Sequence, residues 1–202
     1  MQQATTRRRT QAERRAETET RLLQAAMDLV AEGGVGAVTV AATGARAGYS
    51  RGIVNHHFGS RRALLDALAR EMQGRFSAPK TQGSGLARVL TLVDAYLDGL
   101  SERARDTQVF LVLWTEAIAS DPDLRPIFAE RDEAFRASMG KAVAAGIADG
   151  TVRADADPEA AGVALVALMR GVGLQRLLSP DAVDLDAVRA EVGRLLQGGL
   201  VG

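Results

Sequence analysis

Apolar residues recur along this chain at the three- and four-residue spacing that lays them on one face of a helix, and nowhere in the alternation of a half-buried strand. Over residues 20–32, Leu22, Ala26, Leu29 and Val30 share a face, and Gly33-Gly34 ends the helix as C-terminal glycines do. Leu64, Leu65, Leu68 and Met72 predict a helix over 61–76. The small, polar stretch SAPKTQGSG at 77–85 then reads as a domain boundary. Beyond it, Val89, Leu90, Val93, Tyr96, Leu97 and Leu100 predict a helix over 86–103, and the strongly apolar 108–119, which holds the only Trp, predicts another. Asp121-Pro122 and Asp157-Pro158 each read as a cap followed by proline at the first helical position, where its missing N–H costs nothing. They open helices over 122–148, with Ile127, Phe128, Phe135, Met139, Val143 and Ile147 inward, and over 158–178. The latter is apolar nearly all round, which requires burial on more than one side. A last helix over 186–197 presents Val188, Val192, Leu195 and Leu196. The expected fold class is all-α.

The stretch that organises the rest is 39–65, TVAATGARAGYSRGIVNHHFGSRRALL. Thr39 and Ser50 each stand where a hydroxyl caps a new helix, and the helix-compatible 41–46 and 51–57 are joined by Ala47-Gly48-Tyr49 and the Ser50 cap. So short a turn, carrying a glycine able to take positive φ, is the connection of a helix-turn-helix. Gly44 leaves the first helix bare where the second must cross it. Ile53, Val54 and Phe58 give the second helix an inward face and leave Arg51, Gly52, Asn55 and His56 outward. Those groups suit a DNA groove: arginine pairs with guanine O6 and N7, asparagine with adenine N6 and N7, and glycine lets backbone approach. Ser60 caps the following helix, whose first turn holds Arg61 and Arg62; cations at the positive end of a helix dipole call for an anion such as a phosphate nearby.

These residues resemble the N-terminal domain of TetR-family transcriptional regulators, with Thr39-Val40, Ala47-Gly48, Ser50, Gly52, His57-Phe58 and Leu64-Leu65 at that family's signature positions. The segment Ser50-Arg51-Gly52-Ile53-Val54-Asn55-His56-His57-Phe58 is similar to that of the choline-responsive BetI branch. Asn55 stands where most members carry a phosphate-contacting tyrosine, and Arg61 where a lysine is usual. The resemblance implies DNA contacts from Thr39, Ser50, Arg51, Gly52, Asn55, His56, His57 and Arg61. It also implies a C-terminal helical ligand-binding and dimerisation domain, and a quaternary-ammonium effector held by cation–π contact with Trp114 or Tyr96.

Charge sharpens the division. Residues 1–76 hold 12 Lys+Arg against 7 Asp+Glu, and residues 77–202 hold 13 against 18, so a basic head precedes an acidic body although the 202-residue chain is neutral overall. The expected organisation is a basic disordered arm over 1–16, a helix-turn-helix domain over 17–76 and a helical ligand-binding and dimerisation domain over 77–202. The arm, with Arg7, Arg8, Arg9, Arg14 and Arg15, either follows phosphates or a flanking minor groove or is a solvated tail. No Cys is present, which excludes disulfides and thiolate chemistry and makes a reducing cytoplasm the simplest home. The apolar run 160–169 stops at Arg170, short of the ~20 residues a bilayer span needs, and the basic start is not followed by an apolar signal region. No membrane partner is expected.

Other chemistries fall away. Gly33-Gly34-Val35-Gly36 has Thr39 where a dinucleotide fingerprint needs its third glycine, and a helix, not a strand, precedes it. His56 and His57, the only histidines, are adjacent and point apart on a helix, so neither a metal site nor a cofactor is expected. Without a nucleophile motif or a convergent carboxylate pair, the chain reads as a non-enzyme. Aromatic and long apolar residues from four body helices, Tyr96, Phe110, Trp114, Phe128, Phe135, Met139 and Met169, are either plain core or the wall of a ligand cavity; Tyr96, Phe110, Trp114, Phe128 and Met169 are the candidate ligand-binding set. Leu168, Val172, Leu178, Val192 and Leu195 are the candidate dimer interface, with Gly162, Gly171 and Gly173 allowing close approach. The expected function is a homodimeric repressor released from a palindromic double-stranded operator by a small-molecule effector. A binding module answering to a protein partner or to no ligand, and an architectural DNA-binding protein, are the alternatives.

Overall fold

The computed structural model describes residues 10–75 (backbone alone for 73–75), 83–119, 121–122 and 124–201. Among these every regular element is helical: α1 (Gln11–Gly33), α2 (Val40–Ala47), α3 (Arg51–Phe58), α4 (Arg61–Arg75), α5 (Gly85–Glu102), α6 (Ala104–Ala119), α7 (Arg125–Ala148), α8 (Pro158–Leu178) and α9 (Leu185–Leu200), with single 3-10 turns at Val35–Ala37 and Pro180–Ala182. The chain divides into two compact units, Met1–Glu71 and Met72–Gly202. The division falls inside α4, whereas most of the boundary expected at 77–85 lies outside the described residues.

In the first unit α1 begins well before the apolar pattern does, which corrects the expected disordered arm over 1–16 for its last residues. Thr10 and Glu13 form a reciprocal capping box: the Thr10 hydroxyl accepts from the Glu13 amide at 3.2 Å, and the Glu13 carboxylate accepts from the Thr10 amide at 2.7 Å. That satisfies orphan amides at a helix start whose first turns have no core to face. Residues 1–9 lie outside the described residues. The domain core comprises Leu22, Ala26, Met27 and Val30 of α1, Val38, Val54 of α3, and Leu64, Leu65 and Leu68 of α4, all at most 1% exposed. Each such large side chain contributes roughly 1.5–3 kcal/mol of burial.

In the second unit the two longest helices, α7 and α8, pack closely because glycines face backbone. A Cβ on Gly162 would lie 2.6 Å from the Arg136 carbonyl oxygen, and one on Gly140 would lie 2.9 Å from that of Pro158. Leu97, Leu100, Met139, Val143, Leu165, Met169, Val192 and Leu196 form the core shared with α5 and α9. Asp157 caps α8 as expected, accepting from the amides of Glu159 and Ala160 at 2.9 and 3.2 Å. Asp121-Pro122 does not cap α7: that helix starts at Arg125 after Leu124, with no side-chain cap and with proline in its first turn. Asp184 supplies the α9 cap.

Helix α8 is long and apolar enough to cross a bilayer by length and composition alone. Its inner face is core, however: Leu165, Val166 and Met169 are at most 5% exposed, and Arg170 lies buried among them. Two of the glycines expected at a dimer interface serve this intrachain packing instead. Gly162 meets α7, and a Cβ on Gly173 would sit 2.7 Å from the Tyr96 hydroxyl; Gly171 faces open space.

Candidate functional sites

The helix-turn-helix is fixed by its turn. Gly48 takes φ 76° and ψ 26°, the left-handed conformation that ends α2, and the Tyr49 amide donates to the Gly44 carbonyl at 2.8 Å. A Cβ on Gly44 would lie 2.9 Å from the Tyr49 carbonyl oxygen and 3.2 Å from Ser50 backbone atoms, so glycine is required where α2 meets the chain entering α3. Thr39 caps α2 through the Ala42 amide at 3.0 Å. Ser50 occupies the corresponding place before α3, but its hydroxyl makes no capping bond. Arg46 on α2 clamps Glu32 on α1 with two hydrogen bonds, 2.9 and 2.6 Å, closing the frame from outside.

Held in that frame, α3 buries Val54 completely and exposes Arg51, Gly52, Asn55 and His56 on one side. Ile53, expected to point inward, is 37% exposed and joins the outer surface. The space beside Gly52 is open but for ordinary contact with the Ser50 hydroxyl at 3.6 Å. His57 is half-buried, its ring 5.8 Å from that of His56 and 6.2 Å from Phe58. Burial holds its imidazole below the usual histidine range, and the Arg15 charge pushes the same way against Glu19. His57 Nδ1 finds no hydrogen-bond partner among the described residues.

Arg61 stands in the first turn of α4, as expected, and has partners inside the domain. Its Nε donates to the Val38 carbonyl at 2.8 Å, and a terminal nitrogen donates to that of Val35 at 3.0 Å, so the guanidinium fastens the loop before α2 to the start of α4. This contact inside the domain accounts for a cation at the positive end of a helix without calling on phosphate. The Ser60 cap of α4 is as expected, accepting from the Ala63 amide at 3.1 Å.

In the body the candidate ligand residues converge on a charge that the apolar pattern did not single out. Arg170 of α8 is 5% exposed, and its guanidinium carbon lies 4.6 Å from the centre of the Phe110 ring, 5.6 Å from Phe135, 5.9 Å from Trp114 and 6.0 Å from Tyr96. Asp132 of α7 joins the group: one carboxylate oxygen accepts from Trp114 Nε1 at 2.6 Å and the other from Arg170 at 3.0 Å. Arg131 stands over Phe110 at 4.5 Å, and Phe110 packs on Phe128 at 5.5 Å. Met169 points into the core. Burial, then the charge of Arg170, pulls the Arg131 guanidinium down to about 10, still protonated at neutral pH. Burial raises the Tyr96 phenol, opposed by Arg170 beside it. The faces of Trp114 and Tyr96 that a quaternary ammonium was expected to use already border a guanidinium.

Of the candidate interface residues, Leu178 and Leu195 are 83% and 57% exposed, with Val163 also exposed. Leu168 and Val172 pack partly against the core, and Val192 is 5% exposed within it, so Val192 has no surface to offer a partner. No group of three or more metal-ligating side chains occurs among the described residues.

Comparison with known proteins agrees with both units. The family model for bacterial regulatory proteins of the tetR family matches residues 22–68, and that for the C-terminal domain of BetI-type transcriptional repressors matches residues 85–201. The transcriptional regulator BetI of Vibrio vulnificus is 22% identical over 183 residues, covering 87% of this chain and 89% of that one; BetI of Burkholderia mallei is 28% identical over 172 residues, covering 82% and 85%. Among solved structures, a putative transcriptional regulator from Saccharomonospora viridis in complex with choline superimposes with a TM-score of 0.78 at 22% identity, over 93% of this chain and 99% of that one. The fatty acid degradation regulator FadR of Bacillus halodurans does so with 0.77 at 21%, over 91% and 96%. The chain is a DNA-binding transcriptional regulator of the TetR family with a BetI-type C-terminal domain.

Proposed function

We propose that the chain acts in the cytoplasm as a homodimeric repressor on a palindromic operator and leaves it when a small molecule occupies the body. The observation that carries this reading is the α3 surface. Arg51, Gly52 and Asn55 are exposed together on a helix whose entry angle is fixed by Gly44 and Gly48. A recognition helix needs that combination of base-reading side chains and a rigid mount. Thr39, Ser50, His56 and His57 flank this face and complete the DNA contacts. Arg61 acts from behind by holding the loop. The exposed Leu178 and Leu195 supply the apolar centre of a two-fold interface, which sets two heads about one DNA turn apart.

The effector binds among α5, α6, α7 and α8 at Tyr96, Phe110, Trp114 and Phe128. Occupancy is relayed through α4, the helix in which one unit ends and the other begins. The test is selection and sequencing of DNA bound by the purified full-length protein. Enrichment of a two-fold symmetric site with half-sites about 10 base pairs apart is expected. Binding without sequence preference would instead identify an architectural protein.

A further inference from the structure

We propose that the effector of this regulator is an anion, a carboxylate carried on an apolar body, read by Arg131 and Arg170. The inference rests on the ligand-responsive reading above and names the chemical class that reading leaves open. It starts from an unequal count: among the described residues, the guanidinium groups of Arg131 and Arg170 gather at the Phe110 ring around one carboxylate, that of Asp132. Both Asp132 oxygens are already engaged, one by Trp114 Nε1 and one by Arg170. The Nε–H groups of Arg131 and Arg170 are both shielded from solvent and meet no acceptor among the described residues. A buried charged donor without a partner is among the most costly groups a protein can keep, and it is retained where something else supplies the acceptor. Arg170 itself is only 5% exposed.

The surroundings fit a carboxylate and reject a cation. Phe110 carries both guanidinium groups close to its ring, at 4.5 and 4.6 Å, so its electron-rich face is already taken. Trp114 and Tyr96 likewise border Arg170. A quaternary ammonium would enter a site of net positive charge whose aromatic walls have cations of their own. A carboxylate would neutralise the surplus charge and accept from planar guanidinium donors, the geometry in which arginine binds oxyanions best. The Tyr96 hydroxyl, which makes no well-aligned hydrogen bond, stands ready as a further donor. The apolar remainder of the molecule has the partly buried Phe135 and the Tyr96 ring to lie against.

Trp114 is the chain's only tryptophan and donates to the carboxylate that pairs with Arg170, so its emission reports events at this cluster. The experiment titrates the full-length protein with hexanoate, octanoate, neutral octanamide and choline. Octanoate is expected to change Trp114 emission, to bind more tightly than hexanoate, and to bind at least about tenfold more tightly than octanamide. Because Arg170→Gln strips Asp132 of its partner and can cost folding, Arg131→Gln is the second variant. It is expected to weaken octanoate about tenfold or more with little effect on octanamide. The proposal is overturned if octanamide matches octanoate, if choline alone changes the emission, or if neither carboxylate does so at millimolar concentration. Choline releasing operator DNA while both carboxylates fail would overturn the anion site and leave the repressor reading intact. A protein that selects no DNA site would fail the repressor reading whatever the titration shows.

Discussion

Arg61 Nε donates to the Val38 carbonyl oxygen at 2.8 Å, so the first turn of α4 holds the loop from which α2 departs. Hydrogen bonds from a charged donor are worth roughly 1.5–3 kcal/mol each when a partner is lost. Arg61→Ala is therefore expected to lower head stability by about 2 kcal/mol or more, seen as an earlier denaturant midpoint. Among molecules still folded, the slope of log affinity against log salt should stay as in wild type. Arg51→Ala should do the reverse, leaving the midpoint alone while costing roughly 1–3 kcal/mol on operator and relaxing base preference. A salt slope reduced by about 0.9 in Arg61→Ala would return that residue to the phosphate backbone.

Two glycines of the same motif should answer oppositely to alanine. Gly44→Ala places a Cβ 2.9 Å from the Tyr49 carbonyl oxygen, backbone that cannot easily yield, and is expected to cost ~1–3 kcal/mol. Gly52→Ala meets only the Ser50 hydroxyl at 3.6 Å and should gain up to about 1 kcal/mol of helix propensity while losing operator affinity. Thermal melts and gel shifts on both variants separate the two effects. Gly52→Ala binding operator as well as wild type would remove Gly52 from the DNA face.

What the sequence revealed and what it hid differ by the reach of the signal. The turn was legible because a left-handed residue and a bare helix crossing each demand glycine locally, at Gly48 and Gly44. The α1 start was hidden: residues 11–16 have no apolar face, and only the Thr10–Glu13 capping pair marks a helix there. The hold that Arg61 takes on the loop was hidden because its acceptors, the Val35 and Val38 carbonyls, lie 26 and 23 residues away in sequence. Arg170 was in view as the residue that interrupts an apolar run. A charge inside a helix apolar all round signals a buried partner, and the partners, Asp132 and the ring of aromatics, emerge only when α6, α7 and α8 are packed.

His57 gives the head a pH dependence. Burial lowers its folded pKa, so between that value and the unfolded ~6.5 the unfolded chain binds more protons, and stability rises with pH. The contribution is complete above the unfolded pKa and is lost as pH falls through the lower folded value. The difference in melting temperature between pH 7.5 and pH 5 should therefore shrink in His57→Gln. An unchanged difference would assign the dependence to other groups.

Leu178, 83% exposed at the end of α8, can take a charge without disturbing its own core, unlike the half-buried Leu168. Leu178→Glu should keep the wild-type melting profile of a folded body yet sediment as a monomer at micromolar concentration, with operator affinity greatly reduced. A wild-type protein that is itself monomeric under those conditions would contradict the two-fold assembly.

The central claim is that effector and operator compete through one coupled equilibrium, and coupling is reciprocal. The direct measurement is the effector dissociation constant from Trp114 emission, with octanoate as the first compound, in the absence of DNA and at saturating selected operator. Typical coupling of ~1–3 kcal/mol predicts binding weakened roughly 5- to 150-fold by operator. An effector that binds equally well with and without operator would contradict ligand-driven release.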